Sequence, residues 1–157
     1  MNRSRRQHGA TLIEVLVAMF ILAIGLLGLA GLQAVSVQSN QGAYYRSQAT
    51  ILAEDIADRM RANRGAALAG DYAQSSPPST ISAPSDTSTP AQRDLAEWNN
   101  RLATSLPQGT GTIVTSSNIV TISISWNDAR ARIKSTDETT AQATERAMET
   151  FEYRTRL

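Results

Sequence analysis

Glu14 stands at the mouth of a run, Val15 to Leu32, in which 18 consecutive residues carry no charge and no amide or hydroxyl side chain. Taking an ionised carboxylate out of water is costly unless it is paired, so an acid in that position is a candidate for one specific partner. The plainer assignment puts Glu14 at headgroup level, where it caps the first helical turn and meets the positive end of the helix dipole. Beyond Glu14 the chemical inventory is thin. The chain has no cysteine, which excludes a thiol nucleophile, a thiolate metal site and a disulfide framework. Its only histidine, His8, precedes the apolar run, and its only lysine, Lys134, lies in a polar stretch. The usual acid–base and nucleophilic constellations cannot be assembled from what is left, so the chain reads as non-enzymatic and without a cofactor. Asp137 and Glu138 bring too few oxygen ligands together to hold a metal.

The element that must position Glu14 is the apolar run itself. Eighteen residues in a helix rise about 27 Å at 1.5 Å each, close to the hydrocarbon thickness of a bilayer. Arg3, Arg5 and Arg6 come before the run, and the first basic residue after it is Arg46. That asymmetry predicts a cytoplasmic N-terminus and an exported C-terminal body. A secretory signal peptide is the competing reading, with Gly28 and Ala30 imitating its cleavage site. Its apolar core would run only about 7–15 residues, too short to match this one.

The string Gly9-Ala10-Thr11-Leu12-Ile13-Glu14-Val15-Leu16-Val17-Ala18 resembles the class III signal of type IV prepilins and pseudopilins: a short basic leader ending in Gly, then a hydrophobic helix with Glu at the fifth mature position. The similarity continues through Ile21 to Gln33, where it points to minor pilins, and returns in Phe151-x-Tyr153-x-Thr155-Arg156-Leu157. The resemblance implies cleavage between Gly9 and Ala10 by a prepilin peptidase, followed by N-methylation of Ala10. Here Ala10 stands where the family usually has Phe. It also implies that Glu14 pairs with the amine of Ala10 on an adjacent pilin, setting the axial register of docking. Two charges attract strongly in a low-dielectric bundle, and a leftover unpaired one is penalised.

Beyond the apolar run the pattern turns amphipathic. Tyr45, Ala49, Leu52, Ile56 and Met60 recur at three- and four-residue intervals, predicting a buried stripe, while Arg46, Glu54, Asp55, Asp58 and Arg59 fall largely away from it. Residues 10–64 are expected to form one helix roughly 80 Å long, with about 10–37 as its membrane or filament-core half. Gly25, Gly28 and Gly31 interrupt that half. Either they allow close helix approach in lipid, or they soften the segment so that it can bend.

The expected division is therefore a leader over 1–9, the long helix over 10–64 and an exported head over 65–157. Within the head, residues 65–89 read as a loop from their Gly, Pro, Ser and Thr content. A helix over 90–106 is predicted by Thr89 as N-cap, Pro90 at the first turn and Gln92 completing a capping box, with Leu95, Trp98, Leu102 and Leu106 as its buried face. From Gly111 the period becomes two. Strands are expected over Thr112–Thr115, Ile119–Trp126 and Met148–Leu157, with a turn at Ser116-Ser117-Asn118 and a solvated loop over Asn127–Glu145. The fold class is α+β, a long helix with a small antiparallel sheet on its C-terminal half.

The chain carries 15 basic and 14 acidic residues, and 12 against 14 once the leader is removed. Dispersed charge of that kind argues against a nucleic-acid partner. What the resemblance implies is a structural subunit, a minor pilin that helps initiate type IV pilus assembly, near the filament tip. Its implied partners are the major pilin, other minor pilins, the prepilin peptidase, the inner-membrane assembly machinery and, before assembly, membrane lipid. The implied location is the inner membrane, single-pass with a periplasmic head, and then the filament. A minor pseudopilin of type II secretion is the alternative, and a tip adhesin ranks below it.

Overall fold

The computed structural model describes residues 12–80, 83, 88–129 and 147–157. The chain divides into two compact units, Met1–Val37 and Gln38–Leu157. The first unit contributes the start of a 51-residue helix, α1 (Leu12–Ala62). Among the described residues, nothing buries any residue of its most apolar 18-residue window. Adding a Cβ at Gly25, Gly28 or Gly31 would meet nothing within 4 Å. Their smallness is therefore not used by any contact among the described residues.

The second unit is the head. It contains the C-terminal part of α1, then α2 (Arg64–Ala69), α3 (Pro90–Ser105), β1 (Thr110–Ser116), β2 (Ile119–Asn127) and β3 (Met148–Arg156). The three strands form one antiparallel sheet in the order β1-β2-β3. The fold is α+β, as the sequence implied. Ala49, Leu52, Ala53, Ile56, Ala57 and Met60 supply the helix side of the core, and Val120, Ile122, Ile124 and Trp126 the sheet side. Thr89 and Gln92 form the reciprocal capping box, and Pro90 occupies the first turn of α3. Trp98 is fully buried, and its indole N–H donates to the Leu52 carbonyl at 2.9 Å, tying α3 to α1. A Cβ at Gly111 would lie 2.3 Å from the Trp98 ring, so β1 reaches α3 only because that position is glycine.

Two bounds move: α1 stops at Ala62 rather than 64, and the loop expected over 65–89 begins only after a short second helix. Residues 64–69 are helical, and Gly70, at φ 93°, ends the helix. The Asp71 and Gly70 amides donate to the Ala66 and Ala67 carbonyls, a Schellman closure that supplies partners for terminal carbonyls. Glycine content suggested a loop, yet Gly70 is a helix stop and Ala66, Ala67 and Leu68 favour the turn before it. Tyr72 then buries completely. β2 and β3 begin at Ile119 and Met148 as expected, while the other strand edges shift by a residue or two, β1 beginning at Thr110 rather than Thr112. Most of the expected loop Asn127–Glu145, with Lys134, Asp137 and Glu138, lies outside the described residues.

Candidate assembly face of the N-terminal helix

Glu14 sits in the first turn of α1 as described, the one acidic residue there. It is exposed, and with Ile13, Val17, Ala18 and Ile21 it lines a shallow depression on the helix surface. Around it the apolar side chains are open: Leu12 is 84% exposed, Phe20 68%, Leu27 73% and Leu32 71%. A monomeric soluble surface rarely carries so long an apolar tract, so the face requires lipid or other helices to cover it. Gly9 and Ala10 lie outside the described residues, so their placement relative to Glu14 is not part of the observed geometry. Among the described residues no group of three or more His, Asp or Glu side chains is placed to hold a metal.

The head presents a different polar arrangement, one the sequence did not reveal. Arg59, on α1, makes ion pairs with Asp55 at 3.2 Å on its own helix and with Asp94 at 3.0 Å and Glu97 at 2.7 Å on α3. Arg101 adds a second contact to Asp55 at 2.9 Å. The hydrogen bond to Glu97, with the Asp94 and Asp55 charges adding to it, raises the Arg59 pKa above its ordinary value. Asp94 also accepts a hydrogen bond from the buried Tyr72 hydroxyl. Burial, reinforced by that carboxylate, pushes the Tyr72 phenol up to about 12. Only the Asp55–Arg59 spacing of four was visible beforehand; Asp94, Glu97 and Tyr72 join through tertiary contact. This cluster clamps α3 and the segment after α2 onto α1.

An uncovered apolar helix headed by a carboxylate, followed on the same chain by a packed helix-and-sheet head, fits the class of membrane-anchored proteins. Comparison with known families sharpens that class. The prokaryotic N-terminal methylation motif matches residues 4–30, and the family described as type IV pilin Tt1218 matches residues 31–100. The two matches abut and run from Ser4 to Asn100, inside α3. The chain belongs to the type IV pilin family. Neither a search of curated proteins nor one of solved structures returns a match.

Proposed function

We propose that the protein is a minor pilin of the PilV type, one that takes part in initiating type IV pilus assembly near the filament tip. The observation that carries this reading is the pairing of a prepilin methylation motif with a helix whose apolar face no other described residue covers. In the proposal, Gly9 ends a leader over residues 1–9, the prepilin peptidase cuts before Ala10, and the new amine is N-methylated. The mature helix then waits in the inner membrane as a single pass with its head in the periplasm. Glu14 recruits the Ala10 amine of the adjacent major or minor pilin, and the assembly machinery draws the pair into the filament. The chain acts by packing, without catalysis. Resemblance of Ile21–Gln33 and Phe151–Leu157 to minor pilins supports the finer assignment over a major subunit.

A minor pseudopilin of type II secretion shares the processing signal and the long helix. Deleting the protein and scoring surface pili against secreted enzymes separates the two. Loss of pili with normal secretion is the expected result. Normal pili with lost secretion would overturn the proposal in favour of the secretion system.

A further inference from the structure

We propose that Gln74 is an internal stopper that closes the outer edge of β1 against strand addition by a second copy of the chain. Among the described residues, the sheet order leaves β1 and β3 as its two edges. An open edge is a row of unpaired backbone groups that will template any extended strand. The two edges differ in composition. β3 carries Glu149, Glu152, Arg154 and Arg156, charges that resist pairing with another strand. β1 reads Thr110-Gly111-Thr112-Ile113-Val114-Thr115-Ser116, uncharged, free of proline and rich in β-branched residues, which is the composition of self-associating segments.

Gln74 fits this undefended edge. The hairpin register pairs Ser116 with Ile119 across a two-residue turn, so alternate β1 residues bond to β2 and the others, Gly111 and Ile113 among them, turn their backbone groups outward. The Gln74 amide donates to the Ile113 carbonyl at 2.9 Å, and the Ile113 amide donates back to the Gln74 carbonyl at 2.8 Å. The Gln74 side-chain amide donates to the Gly111 carbonyl at 2.7 Å. One residue thereby occupies three outward groups at two successive outward positions. It forms an isolated bridge and no longer strand.

A single bridge is too weak to hold by itself, and Gln74 is anchored from behind. Its side chain exchanges hydrogen bonds with Asn99 of α3, at 3.1 Å and 2.9 Å, and Asn99 is 7% exposed. The Asn99 amide also donates to the Leu95 carbonyl at 2.8 Å. Two residues earlier, the Tyr72 hydroxyl donates to Asp94 and accepts from Asn63 at 3.3 Å. Burying an amide pair costs more than burying apolar groups, which is understandable if the pair serves to fix one backbone in place. The occupant that the stopper excludes is β1 of another copy, because two charge-free, self-complementary strands can pair about a two-fold axis.

The test uses the full chain in detergent micelles. Gln74→Pro removes the donated amide and the side chain, and Gln74→Ala removes the side chain alone. In the parent, the Ile113 amide should be protected from hydrogen exchange. In either variant it should exchange at least tenfold faster, while Ile122 and Ile124 stay protected. With Val114→Cys added to this cysteine-free chain, a short bismaleimide should link copies of the Gln74→Pro protein and not of the Gln74-containing parent. A further Thr112→Lys should abolish that linkage, which general loosening of the head would not explain. An unprotected Ile113 amide in the parent would overturn the proposal. So would equal cross-linking with and without Gln74, or cross-linking that the added lysine leaves intact. Should Gln74→Pro unfold the head, Gln74→Ala carries the same exchange and cross-linking readouts.

Discussion

Along α1, apolar side chains meet opposite fates. From Leu12 to Val37 every large apolar residue is at least 47% exposed, whereas Ala49, Leu52, Ala53, Ile56, Ala57 and Met60 are at most 3% exposed. The difference is one of partners. The later stretch alternates apolar and polar residues at helical spacing, so it presents a stripe that α3 and the sheet can cover. The earlier stretch is apolar all round and has no covering element among the described residues, so its partners come from outside the chain. One helix thus serves two cores, one intramolecular and one supplied by membrane or neighbouring subunits.

Substitutions in the two stretches should therefore fail in different ways. The largest effect is expected at Glu14. Glu14→Gln or Glu14→Ala should reduce incorporation into filaments by more than about tenfold, judged by immunoblots of sheared pili. That loss corresponds to at least about 1.4 kcal/mol of docking free energy. The thermal transition of the head should not move. Trp98→Ala should do the reverse, costing the head about 3–5 kcal/mol in denaturant unfolding by opening a large cavity and deleting the bond to Leu52, with the precursor still membrane-bound.

Smaller effects test how the head is closed. Gly111→Ala forces a methyl group against the Trp98 ring and should destabilise by about 1–3 kcal/mol. Tyr72 makes stability fall in alkali: its folded pKa is raised, so the unfolded chain releases the phenolic proton first. The contribution is complete below about pH 10 and is lost as pH climbs towards 12. Across that window the head should lose on the order of 2 kcal/mol, and Tyr72→Phe should flatten the slope. Smallest of all, Ser117 holds φ at 56° in the β1–β2 turn, and Ser117→Gly should raise stability by roughly 0.5–1 kcal/mol.

Much of this was legible in the order of residues. Helical spacing gave Ala49, Leu52, Ile56 and Met60, the Thr89–Gln92 box gave α3, and alternation gave Val120, Ile122, Ile124 and Trp126. These are local signals, each set by periodicity or by capping chemistry within a few residues. The contacts that were not legible join distant segments. Arg59 with Asp94 is one, Tyr72 with Asp94 and Gln74 with Ile113 are others, and no spacing rule links positions 22 or more residues apart. The helix over 64–69 was hidden for another reason: its glycines signalled a loop, and only the closure at Gly70 shows one of them to be a stop. For the assembly face, composition announced the uncovered helix and Glu14, while Gly9 and Ala10 rested on resemblance alone.

The account turns on where the mature chain begins, because Glu14 can pair with a neighbour's amine only if that amine belongs to Ala10. Mass spectrometry of the N-terminal peptide from protein purified out of membranes or sheared filaments settles it. The account predicts a peptide opening with N-methylated Ala10. A peptide opening near Gly31, or one that retains Met1 through Gly9 in assembled filaments, would contradict it.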